Sequence, residues 1–396
     1  MSELPNGWVE TTLGKVYNFS SGLSKKRDQF GFGYDFLTFK DVFSNWFLPK
    51  KLNSLANTTK QERYKCSIKR GDVFLTRTSE TQEELGMSSV ALKDYKDAAF
   101  NGFTKRLRPK EGLNISPEFI GYYFRSRYFR ATIQTMASMT TRASLNNDTL
   151  SILPILLPSL PEQKAISAVL SAFDEKIKLL QEQNETLETL AQTIFKEWFV
   201  HFNYPGATGE MVDSELGEIP KGWLVGKLGE IAEIASGKRP KNRTNNKTTT
   251  HQIPLIGATK TMGFVEDYLY CENILVIGRV GTHGEIQRFH EKIWPSDNTL
   301  IIKASNFDFV YFILKSIDYG IMNRGAVQAL ITQTDLKKYP VIIPDNEIMN
   351  KFKGITTAIF EKIKNNTSQI QTLTKTRDTL LPKLMSGKIR VEGFGQ

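Results

Sequence analysis

From Ile166 onward, Leu170, Phe173, Ile177, Leu180, Asn184, Leu187, Ala191, Ile194 and Trp198 follow one another at alternating steps of four and three residues. That is the heptad stripe of a helix packed lengthwise against a partner. A second stripe runs through Phe352, Thr356, Ile359, Ile363, Asn366, Ile370, Leu373, Arg377, Leu380 and Leu384. Each predicts a helix of about 40 residues, or about 60 Å at 1.5 Å per residue. Pro161 and Glu162 suit the first turn of one helix, and Gly387 suits the stop of the other. The spacings are mirror-symmetric about the point between Leu180 and Asn184. Antiparallel pairing within the chain therefore sets Asn184 opposite Asn366, Leu180 opposite Ile370 and Ile177 opposite Leu373, with Phe173, Leu187, Ile359 and Ile363 in the same seam. Packing of each helix on its own domain, or homodimerisation, fits the periodicity as well; the matched lengths favour pairing within the chain.

The rest of the chain is duplicated. Leu4-Pro5-Asn6-Gly7-Trp8 recurs as Ile219-Pro220-Lys221-Gly222-Trp223, and at the same offset Leu13-Gly14 matches Leu228-Gly229 and Ser21-Gly22 matches Ser236-Gly237. Val73 to Arg77 then corresponds to Leu275 to Arg279, an apolar strand pattern ending in arginine, and Leu150-x3-Pro154-x3-Pro158 corresponds to Leu336-x3-Pro340-x3-Pro344. Two large repeats, rather than many short ones, exclude a solenoid. Short β-branched and aromatic runs with Gly, Asn and Pro between them give an α+β chain of two globular α/β domains, with Pro117 to Phe129 and Asp308 to Asp318 as their helices. The expected divisions are a globular domain over residues 1–158, a long helix over 159–203, a linker over 204–216, a second domain over 217–344, a second helix over 345–387 and a tail over 388–396.

Composition narrows the partner. Across 396 residues, 52 Lys and Arg stand against 42 Asp and Glu, a formal charge of +10 that suits a polyanion, nucleic acid first, although an ordinary soluble surface can carry it too. Cys66 and Cys271 are far apart and the opening stretch has no apolar signal core, which reads as cytoplasmic and reduced. No apolar run approaches the roughly 20 residues of a membrane span.

The reagents of an enzyme are missing from the sequence. There is no phosphate loop, and Gly278-x2-Gly281-x2-Gly284 lacks both its lysine and its spacing. The four histidines and two cysteines fall into no metal-ligand spacing. No Asn/Asp-Pro-Pro-aromatic run of the aminomethyltransferase type occurs, and no catalytic residue or metal ligand is assigned.

Leu157-Pro158-x2-Pro161-Glu162-Gln163, Phe195-Lys196-x-Trp198-Phe199-Val200, and Leu380-Leu381-Pro382-Lys383-Leu384-Met385-Ser386-Gly387-Lys388-Ile389 resemble the conserved regions of specificity subunits of type I restriction-modification enzymes. The Pro-x-Gly-Trp opening of each repeat is also typical of them. The chain departs from the pattern at Pro344-Asp345-Asn346-Glu347-Ile348, where the family usually repeats its Pro-Glu-Gln entry to the helix. The resemblance implies a target recognition domain in each half and paired helices between them as a spacer. It implies a split, asymmetric DNA target, with half-sites about 10 bp apart if both domains dock on one side of the duplex. It also implies assembly with two modification subunits carrying S-adenosylmethionine, to which two restriction subunits using ATP and Mg2+ can be added, and no cofactor in this chain. An autonomous nuclease or methyltransferase, and a coiled-coil scaffold or regulator binding DNA non-specifically, are the competing readings.

Candidate DNA contacts follow from residue type. Lys238, Arg239, Lys241, Arg243 and Lys247 form an acid-free basic segment, and Lys25, Lys26 and Arg27 are its counterpart in the first repeat. Arg77, Thr78 and Ser79, with Arg279, Thr282 and His283, follow equivalent strands. Thr141, Arg142 and Asn146, with Asn323, Arg324, Gln328 and Gln333, precede the Leu-x3-Pro-x3-Pro segments. Pro161, Glu162, Gln163, Trp198, Phe199, Phe202, Lys383 and Met385 are the candidates for docking a modification subunit; for the aromatics Trp198, Phe199 and Phe202 core packing is the default reading and docking the functional alternative.

Overall fold

The computed structural model describes residues 4–79, 84–136, 143–279, 285–322, 331–391 and 393. Its two compact units are Met1–Leu180 with Ser368–Gln396, and Gln181–Thr367. Each unit therefore contains one globular region together with a part of each long helix.

In the first unit a four-stranded antiparallel sheet has the order Tyr17–Ser21, Thr104–Pro109, Val73–Thr76, Ser88–Val90. Val73 to Thr76 is buried throughout, which is why that segment carries no polar alternation. A smaller sheet orders Leu55–Ala56, Phe30–Leu37 and Ala99–Phe100, the last pair parallel. Val9–Thr12 pairs with Pro154–Leu157 and returns the chain to the helix. The second unit repeats this plan. Its sheet is Glu233–Ser236, Thr299–Lys303, Ile274–Gly278, Ile286–Phe289; its smaller sheet is Thr261–Val265, Ile253–Ile256, Trp294–Pro295; and Leu224–Lys227 pairs with Pro340–Ile343. Equivalent pairings fix the alignment: Ser21 faces Lys105 and Leu75 faces Lys105, as Ser236 faces Leu300 and Ile277 faces Leu300.

Helix Pro117–Arg125 starts where Ser116 Oγ accepts from the Phe119 N–H at 3.3 Å, with Pro117 pre-setting the first turn. The sequence predicts one helix to Phe129, but the chain breaks at Ser126. This serine ends one helix at ψ 150° and its Oγ accepts from the Phe129 N–H at 3.4 Å, opening Arg127–Met136. Its counterpart in the second unit is Phe307–Ser316.

The long helices are Leu160–Phe199 and Asn346–Met385, 40 residues each. They pair antiparallel. In the first unit Ile166 and Leu170 share a core with Leu381, Leu384 and Met385, and in the second Ala191, Phe195 and Trp198 share one with Phe352 and Ile359. Along the seam Ile177, Leu180, Ile359 and Asn366 are buried, while Phe173, Asn184, Leu187, Ile363, Ile370 and Leu373 are half-buried. Asn366 Nδ2 donates to Asn184 Oδ1 at 2.8 Å, and Arg377 Nη1 to Asp174 Oδ1 at 2.5 Å, both consistent with the register read from the stripe.

Two segments outside the globular regions are also ordered. After the first long helix Met211–Ser214 pairs with Gly217–Pro220 in a hairpin, and Gly217 takes φ 94° at its turn. The tail after Gly387 is tied down, because Arg390 donates to both oxygens of Glu162, at 2.9 and 2.8 Å.

Candidate nucleic-acid interface

In both units the end of the central strand, the turn between the last two strands and the chain leaving the first strand are sewn together by matching hydrogen bonds. Arg77 N–H donates to Phe103 O at 2.9 Å, and Arg279 N–H to Asn298 O at 2.9 Å. The carbonyls of those arginines accept from Leu145 N–H and Ile331 N–H, at 3.0 Å in each case. Leu23 N–H donates to Phe100 O at 2.8 Å, as Lys238 N–H does to Pro295 O at 3.0 Å. In each unit the arginine, the start of the basic segment and the residue Leu145 or Ile331 are thus brought together by equivalent backbone.

Gly22 and Gly237 permit this approach: a Cβ on the first would lie 2.4 Å from Asn101 O, and on the second 2.0 Å from Ser296 O. Below the surface, Lys105 Nζ donates to Ser21 Oγ at 3.0 Å and Asn147 Oδ1 at 2.8 Å, while Gln333 Nε2 donates to Ser236 Oγ at 2.7 Å. Burial, and then the Arg77 charge, lower the pKa of Lys105.

The side chains divide into engaged and free. Lys25 is not an available cation, because its Nζ donates to both Glu62 oxygens at 2.7 and 2.8 Å. That bond, followed by the Thr59 N–H, holds Glu62 below the usual carboxylate range. Asn146 Oδ1 accepts from Thr149 N–H at 2.7 Å and caps helix Asn147–Ile152, and Gln333 is bound to Ser236. Lys26, Arg27 and Arg77 are exposed, and Thr78 is half-buried in the short strand Thr78–Ser79. Lys238, Lys241, Arg243 and Lys247 are exposed and make no side-chain hydrogen bond or ion pair among the described residues; Arg239 Nε lies 3.8 Å from Asp297 Oδ2. Arg279 is half-buried, and its Nε is buried without a partner among the described residues. Thr141, Arg142, Thr282, His283, Asn323, Arg324 and Gln328 lie outside the described residues.

The docking candidates divide into buried and exposed side chains. Glu162 is 1% exposed and held by Arg390, and Gln163 is 3% exposed, donating to Pro158 O at 2.9 Å while accepting from Ser116 N–H at 3.0 Å. Their conserved appearance has an internal cause, the fixing of the helix start to the sheet and tail. Trp198 and Phe199 are core residues packed against Phe352, tilted and edge-on respectively, and Met385 is fully buried. Phe202, held at φ 60°, packs its ring on Trp223. Pro161 and Lys383 remain at the surface.

Among the described residues no group of three or more His, Cys, Asp or Glu is placed to hold a metal ion, and no helix is long and apolar enough to cross a membrane. The sequence matches the family described as the type I restriction modification DNA specificity domain over residues 5–189 and 220–378, once in each repeat. The chain belongs to this family. Among its specificity-subunit relatives, the type I restriction enzyme MjaIX specificity subunit of Methanocaldococcus jannaschii is 29% identical, over 99% of this chain and 96% of that protein. The HindI specificity subunit of Haemophilus influenzae is 22% identical, over 96% and 99% respectively. The crystal structure of a type I restriction-modification system S subunit from M. genitalium shares the fold, with a TM-score of 0.60 and 18% identity over 96% of this chain and 97% of that one. Both family matches include the strand ends and basic segments described above.

Sequence reasoning missed two kinds of residue. Phe103 is 64% exposed beside Arg77, and Asn298 occupies the equivalent place in the second unit. Phe30, Phe32 and Tyr34, on alternate positions of the strand that follows Lys26 and Arg27 in the chain, are also exposed, with the Arg63 guanidinium 3.5 Å from the centre of the Tyr34 ring. The alternation was a readable signal for the strip; nothing in the sequence marks Phe103 as exposed.

Proposed function

We propose that this chain is the DNA-specificity subunit of a type I restriction-modification system, reading a split, asymmetric target with one half-site per globular domain. The observation that carries this reading is the duplicated strand-end scaffold: one backbone arrangement occurs twice and presents different side chains each time. A shared scaffold docks both copies on the duplex in the same way, and different side chains read different bases. The exposed segment from Lys238 to Lys247, with Lys26 and Arg27 in the first copy, supplies cations for phosphates.

In this reading the chain contributes recognition and its partners contribute chemistry. Two modification subunits bring S-adenosylmethionine and methylate adenine; two restriction subunits, where present, bring ATP and Mg2+. The paired helices serve as the spacer between half-sites, Pro161 and Lys383 belong to a subunit-docking surface, and the complex works in the cytoplasm.

Selection of duplexes from a random pool, by the full chain assembled with its modification subunits, tests the reading. Enrichment of one split, non-palindromic sequence is expected. Binding without enrichment would instead make the chain a non-specific DNA-binding scaffold.

A further inference from the structure

Positions 103 and 298 are one place seen twice. Besides the arginine bonds, each closes the same tight turn: Thr104 N–H and Oγ1 donate to Asn101 O at 3.0 and 2.8 Å, and Thr299 N–H and Oγ1 donate to Ser296 O at 3.0 and 2.7 Å. Each turn is anchored to the smaller sheet, by Asn101 N–H on Leu37 O at 3.0 Å and Ser296 N–H on Ile256 O at 2.9 Å. In the first copy Asn101 Oδ1 also accepts from the Phe103 N–H at 2.7 Å, and Gly102 N–H donates to Leu23 O at 2.8 Å.

The backbone is thus held from several sides while the side chain it presents is unengaged. Phe103 is 64% exposed, and Asn298 is exposed with an amide that makes no hydrogen bond among the described residues. A single exposed phenylalanine is ordinary. An exposed side chain on a turn this constrained, between a strand-end arginine and the start of a basic segment in both copies, is carried on a pre-organised backbone: little backbone freedom remains to be lost on binding, and only the side-chain rotamer has still to be fixed.

We propose that this turn position is a specificity-determining contact in both domains. Phe103 makes apolar contact with a base of the first half-site, as phenylalanine does with a thymine methyl or a partly unstacked step. Asn298 hydrogen-bonds a base edge of the second half-site, adenine by its donor and acceptor pattern. The inference rests on the reading of the chain as a DNA-specificity subunit and assigns residues that the sequence did not mark.

Repeating the duplex selection with Phe103→Ala and Asn298→Ala, each in the full chain with its modification subunits, decides the matter. Both side chains are exposed, so thermal melting is expected to match the parent chain. Each variant should lose roughly tenfold discrimination at one base position, Phe103→Ala only in one half-site and Asn298→Ala only in the other. Phe103→Tyr should retain most of it. Unchanged sequence preference, or equal weakening on all sequences, overturns the inference while leaving the proposed function standing. Failure of the parent chain to enrich any sequence overturns both.

Discussion

Asn366 donates from Nδ2 to Asn184 Oδ1 at 2.8 Å and to Gln183 Oε1 at 2.9 Å, while its own Oδ1 is buried without a partner among the described residues. A polar pair in a mostly apolar seam fixes register at a cost in stability. Asn184→Leu alone leaves the buried amide of Asn366 under-bonded and should cost about 1–3 kcal/mol, whereas Asn184→Leu with Asn366→Leu should recover that loss or exceed the parent. Chemical denaturation of the two single variants and the double variant gives the coupling; additive effects would contradict the pairing.

Gly387 ends the second helix at φ 68°, and a Cβ there would lie 2.3 Å from Pro5 Cγ. Gly387→Ala should therefore destabilise the chain by about 1–2 kcal/mol from the left-handed backbone alone, and further from displacement of Pro5. Gly387→Asn, which tolerates this backbone better, should cost less in that first respect. Equal melting of Gly387→Ala and parent would contradict the geometry.

Acid should weaken the second unit in a defined window. The Lys303 hydrogen bond, then the Cys271 N–H at 3.1 Å, hold Glu272 at about 2. At Glu188 burial pushes the pKa up, but hydrogen bonds from Lys315 at 2.7 Å and Tyr311 at 2.6 Å outweigh it and the net shift is down. Both carboxylates ionise more readily folded than unfolded, where the value is 4.5. Their stabilisation is complete above that value and is lost as pH falls from it through the folded pKa. Melting temperature followed downward from neutral pH should fall in this window, and Glu272→Gln should flatten the fall. The same slope in parent and variant would count against it.

Removing cations from the exposed segment should weaken DNA binding without redirecting it. Lys241→Ala, Arg243→Ala and Lys247→Ala should lower affinity for all duplexes alike. Each should reduce the slope of log affinity against log salt by about 0.9 if its side chain neutralises one phosphate. Anisotropy titrations at several salt concentrations measure this; an unchanged slope removes the segment from the phosphate contacts.

Much of this arrangement was legible because it rests on spacing. The stripes from Ile166 and Phe352, and the Val73 and Leu275 strand patterns, are periodic signals that tertiary structure preserved. Ser126 was misread because a serine inside an apolar helical pattern can either continue a helix or end one and cap the next, and only the backbone at that residue decides. Glu162 and Gln163 stand in a motif, and a motif records constraint without its cause; here both side chains are buried, as are Trp198 and Phe199, for which core packing is the default reading. Phe103 was invisible for the opposite reason, since exposure of a phenylalanine depends on the turn formed by Asn101, Gly102 and Thr104 against Leu23 and Arg77, residues far apart in the chain.

The most direct test of the central claim is methylation mapping by long-read sequencing in a host expressing this chain with its modification subunit, beside a host lacking only the chain. Expected is a new adenine-methylated motif, split and asymmetric, that disappears without the chain. No new motif in spite of a verified complex, or a motif that persists when the chain is absent, contradicts the claim.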